Sequence, residues 1–387
     1  MRRKIIFQAL LAMMFVACGG SDDVITPAPP VPDPPQPKAE VAIAFSGSLG
    51  EGESESHART RATTNPLSAT HQTFYAWAYK NPASGNTETV MQNYTVNWQE
   101  NSAGSTTTNS RGWEYVNQQE SSTVPVQSIK YWDFSAADYR FFGYAGSGVD
   151  ATTSTSVSFS FDVDATTPNL ETLTATTPLY SKLWYNTGEA ISDNIQPVQL
   201  VFLQPYVKVR FLFRQSEPPE TIFTLSGITF GPTTPDPPAV AKTIALTGTF
   251  TVTYPLSGVT TTEETWVVAP TSPGTADTDY LTAFTEDYYV FSEDGFNRED
   301  VPATPAGEKK WYTVLPAKDQ GTYTLTVFVN GEERNVVVPA QYMNWQPGYE
   351  YTYVFKITER GTVELEGLQS AFVPWKTDDG DHPIYNW

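Results

Sequence analysis

Hydrophobic and polar residues alternate with a period of two over much of this 387-residue chain. Clear examples are residues 157–163, 207–213, 323–329 and 349–357. Because successive side chains of a strand point to opposite faces, each run predicts a strand with one buried and one solvated face. Asn330-Gly331 directly follows the third run and predicts a tight hairpin turn. No long run with helical period occurs, so the chain is predicted to be all-β.

The spacing of these strands also predicts the domain organisation. Regularly spaced short strands favour two tandem antiparallel β-sandwich domains over a single barrel. The chain is long enough for two domains, each able to bury a core without metals or disulfides. The predicted domains are residues 40–194 and 195–387, which meet in the segment 192–197. The proline-rich stretch 231–238 is the alternative boundary.

The N-terminus has the pattern of an export signal. Residues 1–4 are basic, and residues 5–16 form an apolar run that is too short to span a bilayer as a helix. The run leads to Cys18, the only cysteine of the chain, in a sequence that resembles the lipobox of bacterial lipoproteins. This resemblance implies removal of residues 1–17, acylation of Cys18, and a proline-rich tether over residues 18–39. The alternative is an ordinary secretory signal with an incidental cysteine.

The composition and net charge of the chain limit the kinds of partner that it can bind. The chain has 23 basic and 43 acidic residues, a formal net charge of −20, so its surface repels nucleic acid, which is not a predicted partner. Aromatic residues make up 13% of the chain. This content favours strands around a packed core and is unlike that of disordered chains.

Motifs that carry catalytic chemistry are nearly absent from the sequence. The three histidines, at positions 57, 71 and 382, do not have metal-ligand spacing, and no nucleotide-binding or nucleophile motif occurs. We therefore predict no catalytic residue, no metal and no cofactor. The ten tryptophans could stack on sugar rings, although their places in alternating strands favour core packing. A hydrolase that uses two carboxylates stays an alternative, because their separation cannot be obtained from sequence.

The order of these features resembles the fimbrillin family, the type V pilins of Bacteroidales. The matching features, in chain order, are the lipobox at Cys18, an alternating strand at 41–46, an arginine-containing loop at 57–64, aromatic strands at 74–79 and 139–145, apolar strands at 198–202 and 207–211, the W-x-P-G-x-x-Y-x-Y pattern at 345–353, and a closing strand at 372–375. The resemblance implies two transthyretin-like domains and a non-enzymatic lipoprotein precursor of the outer membrane that becomes part of a fimbrium.

The resemblance also implies an assembly mechanism. In such pilins an arginine-directed protease removes the first strand, and a strand from a neighbouring subunit replaces it. Here the implied cut follows Arg59 or Arg61 and releases the strand that carries Val41, Ile43 and Phe45. Burial of these three side chains would contribute roughly 5–8 kcal/mol. Because whole domains have about 5–15 kcal/mol of net stability, the emptied groove would need a new strand.

The C-terminal stretch is the predicted donor of that strand. Its candidate residues share an apolar character beyond the strand at 349–357, and they are Phe372, Val373, Trp375, Ile384, Tyr385 and Trp387. The alternative is that residues 372–375 complete the second sandwich of this chain, which then accepts a strand or nothing. The predicted partners are other pilin subunits, the outer membrane through the lipid before processing, and a host or bacterial surface ligand. A carbohydrate-binding surface lipoprotein that never polymerises is the alternative function.

Overall fold

The computed structural model describes residues 40–50, 67–100, 106, 111–119, 125–162, 174–215, 223–233, 247–258, 262–270, 281–282, 288–289, 291–292, 312–318, 321–358 and 360–372. The chain divides into the units Met1–Glu40 and Val41–Trp387, and every element described below belongs to the second. The described part is mostly β, as the alternation predicts. Its helical elements are one α-helix, α1 (Gly188–Asp193), and two 3-10 turns, Leu67–Ala69 and Ala340–Tyr342. None of these helical elements is long and apolar enough to cross a membrane.

Twenty-two strands occur in the described residues. The first ten are β1 (Phe45–Leu49), β2 (Thr73–Pro82), β3 (Glu88–Glu100), β4 (Arg111–Glu114), β5 (Ala136–Ala145), β6 (Val149–Thr152), β7 (Ser156–Asp162), β8 (Leu179–Ser181), β9 (Trp184–Thr187) and β10 (Val198–Leu203). The next twelve are β11 (Val207–Gln215), β12 (Thr224–Pro232), β13 (Thr247–Thr253), β14 (Thr265–Pro270), β15 (Leu281–Thr282), β16 (Tyr288–Tyr289), β17 (Phe291–Ser292), β18 (Tyr312–Val314), β19 (Tyr323–Val329), β20 (Glu332–Val338), β21 (Tyr349–Ile357) and β22 (Val363–Phe372).

Local pattern and local structure agree where the alternation is strongest. In β7, the side chains of Val157, Phe159 and Phe161 are buried, whereas the serines between them are partly or fully exposed. The predicted hairpin is also confirmed, because β19 and β20 are joined through Asn330 and Gly331 with φ of 50° and 82°. Two consecutive positive φ values are the requirement of the type I′ turn, which suits asparagine followed by glycine.

The strands form four sheets. The largest has the order β2-β3-β4-β1-β10-β8-β5-β9, and β2 also pairs with β5. Seven of its strands therefore form a closed circuit, which the sequence did not predict. A four-stranded sheet has the order β14-β13-β7-β6, and two five-stranded sheets are built on β17-β11-β21-β22, with β18 on β11, and on β15-β12-β19-β20, with β16 on β12.

Three strand pairs correct the prediction of purely antiparallel sheets. The pairs β1–β10, β11–β17 and β11–β21 are parallel. The alternation of side chains is the same in parallel and antiparallel strands, so the pattern predicts a strand but not the direction of its neighbour. Parallel pairing requires a long crossover between the two strands. Residues 50–197 lie between β1 and β10, and residues 216–348 lie between β11 and β21.

Two cores lie on opposite faces of β2 and β5. Phe74, Ala76 and Ala78 of β2 belong to the core enclosed by the closed circuit. Trp77 and Tyr79 belong to a second core, which also contains residues of β7 and β13. Burial on both faces explains why this strand has a continuous apolar run instead of an alternation. A third core is built from β11, β12 and the strands from β18 onward.

Strands from both sides of the predicted boundary at residue 194 share sheets. β10 follows that boundary in sequence, yet it pairs with β1 and β8. β13 pairs with β7 along its whole length. In the second core, the ring of Tyr254 stacks on Phe142 with centroids 3.9 Å apart. The sequence boundary therefore does not coincide with a division between sheets.

Candidate functional site

The candidate site is the groove occupied by the first segment of the described chain, residues 41–50. On one side, β1 pairs in parallel with β10 from Phe45 opposite Val198 to Leu49 opposite Phe202. The Ala44 carbonyl accepts from the Val198 amide at 2.8 Å just before this ladder. The segment is thus an interior element of the sheet, although it is the first part of the second unit in sequence.

The other side of the segment is paired as well. Phe45 lies opposite Trp113 of β4, and Ala42 forms an isolated bridge with Tyr131. The Ile43 amide donates to the Lys130 carbonyl at 2.8 Å, and the Trp132 amide donates to the Val41 carbonyl at 2.9 Å. A strand that is paired on both sides presents its backbone groups to two neighbours. An unstructured loop in its place would lose these hydrogen bonds.

A tyrosine strengthens this second edge. The Tyr115 hydroxyl donates to the Ile43 carbonyl at 3.0 Å and accepts from the Lys130 amide at 3.0 Å. Burial raises the pKa of Tyr115 well above its ordinary value. The hydroxyl therefore keeps its proton and its donor function at any physiological pH.

The side chains of the segment fill the enclosed core. Ile43 is fully buried, and Phe45 and Leu49 are nearly so. The Phe45 ring makes edge-to-face contacts with Phe74, Tyr115 and Phe141 at centroid distances of 5.7, 5.9 and 5.9 Å. Each of these edge-to-face contacts adds to stability beyond the contribution of the apolar area that it buries. Val41, the first of the three predicted residues, is partly buried against the same core.

Gly47, in the middle of β1, allows Leu67 and Trp113 to pack closely against the strand. A β-carbon on Gly47 would lie 3.1 Å from Cδ2 of Leu67 and 3.5 Å from Nε1 of Trp113. Leu67 opens the 3-10 turn Leu67–Ala69 and is fully buried. Leu67 therefore packs directly against the middle of β1.

The second half of the chain repeats this arrangement. β11 lies between β21, to which it is parallel, and β18, to which it is antiparallel. β1 lies in the same way between β10, which is parallel, and β4, which is antiparallel. The two arrangements differ in what precedes the central strand in sequence. β11 follows β10 after residues 204–206.

The predicted lipidation and processing residues and most donor candidates lie outside the described residues. Cys18, Arg59 and Arg61 lie outside the described residues, and the two arginines fall in the segment that links Gly50 to Leu67 in sequence. Phe372 is the last residue of β22, where it pairs with Tyr349 of the same chain. The remaining donor candidates, also outside the described residues, are Val373, Trp375, Ile384, Tyr385 and Trp387.

Tryptophans in the described part of the chain pack into cores. Trp77, Trp113, Trp132 and Trp345 are buried, and the partly buried Trp98, Trp184 and Trp266 lie against the first two cores. This confirms the core interpretation for these seven. The tryptophans at 311, 375 and 387 lie outside the described residues.

His71 is a buried structural histidine. Its Nε2 lies 2.9 Å from the Thr177 carbonyl, and its Nδ1 lies 2.9 Å from the Thr70 hydroxyl. Burial lowers the pKa of His71, and the hydrogen bond with the carbonyl opposes this in part. These two contacts tie the turn at residues 67–70 to Thr177, which is a structural role. Within the described ranges, no three side chains of histidine, cysteine, aspartate or glutamate could hold a metal ion together.

Sequence reasoning missed a buried arginine that joins two distant parts of the chain. Arg140 of β5 is fully buried and pairs with Asp138 at 3.2 Å. Its guanidinium donates to the carbonyls of Pro255 at 2.8 Å and Gly258 at 2.6 Å. The available signal was a pair of opposite charges, Asp138 and Arg140, in a strand that is otherwise mostly apolar, since a buried charge requires partners.

Comparisons with known proteins give similarity to solved structures only. No protein-family model matches the sequence, and no curated protein matches it. The chain is similar to a "putative cell adhesion protein" of Bacteroides ovatus, with 14% identity and a TM-score of 0.39 over 87% of this chain and 99% of the other. A protein of the same description from Bacteroides eggerthii has 10% identity and a TM-score of 0.34, over 86% and 96% of the two chains. A structure titled "putative polysaccharide binding proteins", from Bacteroides thetaiotaomicron, has 10% identity and a TM-score of 0.28, over 85% and 97%.

Proposed function

We propose that this chain is the precursor of a structural or adhesive subunit of a surface fimbrium and has no enzymatic activity. The observation that carries the proposal is the position of residues 41–50. They form a segment hydrogen-bonded on both sides, with Ile43, Phe45 and Leu49 in the core. A single connection, residues 51–66, links this segment to the rest of the second unit.

Cleavage in that connection would leave β1 held by non-covalent contacts alone. The proposed cut follows Arg59 or Arg61, both of which belong to residues 51–66. A replacement strand must offer backbone groups to both neighbours and apolar side chains at the positions of Ile43, Phe45 and Leu49. An extended segment of another subunit satisfies both requirements, as in β-strand addition generally.

The proposed donor is the chain beyond β22. β22 pairs with β21 over its length, from Tyr349 opposite Phe372 to Ile357 opposite Val363, and its removal would uncover the third core. Residues 373–387 contain Val373, Trp375, Ile384, Tyr385 and Trp387, which are enough apolar side chains to fill the groove of a neighbour. Phe372 then stays with its own subunit.

The proposed location is the outer membrane surface, with Cys18 as the acylated N-terminus before processing. Mass spectrometry of the membrane-associated precursor is expected to find the acyl mass on Cys18. The Cys18→Ala variant is expected to lack that mass and to leave the membrane. A wild-type precursor with an unmodified N-terminus elsewhere contradicts the anchor without affecting the strand proposal.

The test of strand exchange uses an arginine-specific protease on the intact chain. Wild-type protein is expected to be cut after Arg59 or Arg61 and to form an SDS-resistant ladder of oligomers. The double variant with alanine at both positions should give neither. Arg111→Ala is the matched control, because Arg111 is an exposed arginine at the start of β4, and it should behave as wild type.

A truncation separates donation from acceptance. Deletion of the residues after Trp375 is expected to leave a folded, processed subunit that accepts a strand but ends the ladder. If the double variant with alanine at positions 59 and 61 forms ladders of normal length, exchange by this route is wrong.

A further inference from the structure

Gly47 lies in the middle of β1 for a reason of space, not of backbone conformation. Glycine weakens the interior of a strand, because it has no side chain to pack and loses the most backbone freedom on folding. Gly47 does not have the positive φ that would make glycine necessary, so its backbone conformation is open to any residue. Glycine inside a strand often marks a place where a neighbouring group approaches closely.

Two buried side chains form a notch over Gly47. A β-carbon at position 47 would lie 3.1 Å from Cδ2 of Leu67, 3.4 Å from Cβ of Leu67 and 3.5 Å from Nε1 of Trp113. Both neighbours belong to the core that β1 fills. An alanine at this position therefore requires a small shift of Leu67. A larger side chain adds further atoms where the β-carbon is already too close.

The turn that carries Leu67 is held in place. The Leu67 carbonyl accepts from the amides of Thr70 at 3.1 Å and His71 at 2.9 Å. The Nε2 atom of His71 lies 2.9 Å from the carbonyl of Thr177. Because Cβ of Leu67 moves only with its backbone, a change of rotamer cannot clear the notch.

The notch also fixes the register of the strand in this groove. The backbone ladder between β1 and β10 is the same for every residue and does not choose a register by itself. A shift by one residue would turn the small residues of the other face into the core. A shift by two would keep the apolar face inside but bring Phe45 or Leu49 to the notch. The observed register, with Gly47 opposite Leu200, avoids both.

We propose that the notch formed by Leu67 and Trp113 selects the strand that occupies this groove. The occupant must have glycine, or at most alanine, at the position of Gly47. It must also have an aromatic residue two positions before and an aliphatic residue two positions after, as Phe45 and Leu49 are placed in β1. For β1 itself this inference stands alone, whereas for a replacement strand from another subunit it rests on the proposed function and states which partner sequence fits.

The rule has a consequence for the proposed donor. In residues 373–387, the register that places Val373 and Trp375 at the positions of Ile43 and Phe45 brings Thr377 to the notch. Threonine is branched at its β-carbon and fits the notch less well than glycine. Thr377→Gly is therefore expected to give longer ladders than wild type.

Hydrogen exchange of the intact chain tests the notch without any exchange of strands. Valine favours strands more than glycine does, so without a notch Gly47→Val would slow exchange of the Phe45–Leu49 amides. With the notch, Gly47→Val is expected to accelerate it by about 10- to 100-fold, as overpacking of a core does, and Gly47→Ala by less. Gly367→Val is the matched control, because Gly367 lies in β22 with open space around it. It should not accelerate exchange in β22.

A second substitution assigns the effect to Leu67. In the Leu67→Ala background the space that valine needs is open, so adding Gly47→Val should accelerate exchange only about twofold or less. Leu67→Val, a smaller truncation, gives the same comparison should Leu67→Ala not fold. Equal acceleration in both backgrounds, or slower exchange in Gly47→Val itself, overturns the proposal.

Peptide incorporation extends the test to a replacement strand. The chain is cut at a specific protease site placed within residues 51–66, so that the result does not depend on Arg59 or Arg61. A labelled peptide with the sequence of residues 41–50 is expected to enter the groove, and the same peptide with valine at position 47 should enter about tenfold more slowly. Equal rates for the two peptides overturn the selection of a replacement strand. If neither peptide enters, strand exchange in the proposed function is wrong, while hydrogen exchange still decides the notch.

Discussion

Phe45→Ala measures how strongly the first strand holds its groove. Phe45 is 5% exposed and touches three aromatic rings edge to face. Truncation of a buried phenylalanine costs about 3–5 kcal/mol, because transfer free energy is lost and a cavity is left. Alanine keeps the backbone pairing with β10 and β4, so the loss falls on side-chain packing alone.

The proposed function requires that β1 detach while the rest of the fold persists. Local opening is reported by hydrogen exchange, in which each opening unit has its own free energy. A loss of 3–5 kcal/mol corresponds to roughly 10²–10³·⁵-fold faster exchange, since about 1.4 kcal/mol is a factor of ten. The amides of Phe45–Leu49 are therefore expected to accelerate by this factor in Phe45→Ala.

Phe355→Ala is the matched control for this experiment. Phe355 is fully buried in the third core on β21, so its truncation costs a similar amount. It is expected to accelerate exchange in β21 and its neighbours and to leave β1 unchanged. If either variant accelerates β1 and β21 equally, opening is global, and β1 is not a separately releasable strand.

Three further predictions concern the frame around the groove. His71→Gln should flatten the pH dependence of stability between about pH 7.5 and 5.5. Burial lowers the pKa of His71, so the unfolded chain binds more protons than the folded chain as pH falls below about 6.5. The unfolding free energy of the wild type therefore decreases by up to about 1.4 kcal/mol per pH unit. If unfolding free energies from urea melts change equally with pH in both proteins, this prediction is wrong. Arg140→Met should lower the unfolding free energy by about 3–5 kcal/mol, because it leaves the Asp138 carboxylate buried without its ion pair, and adding Asp138→Asn should recover part of the loss in the same melts. Gly143→Ala should cost about 1–3 kcal/mol, because its β-carbon would lie 2.5 Å from a backbone oxygen of β2, whereas Gly321→Ala, with open space around it, should melt as wild type does.

The sequence by itself determined the class of secondary structure and many strands. Val157, Phe159 and Phe161 are buried in β7 as their alternation predicts, and Asn330-Gly331 forms the predicted turn. These features are local, since they depend on the two-residue period of a strand and on the backbone freedom of glycine and asparagine. The burial of Ile43 and Phe45 follows from the same period.

Only the tertiary structure decided which strands are neighbours. The position of β1 between β4 and β10, the parallel direction of its pairing with β10, and the closure of β2 on β5 join residues far apart in sequence. Alternation is identical for every partner and direction, so none of these choices leaves a trace in a single sequence. The same reason explains the missed role of Arg140, whose partners Pro255 and Gly258 lie more than a hundred residues away. A strand pattern states that a surface must be covered, and the three-dimensional fold decides what covers it.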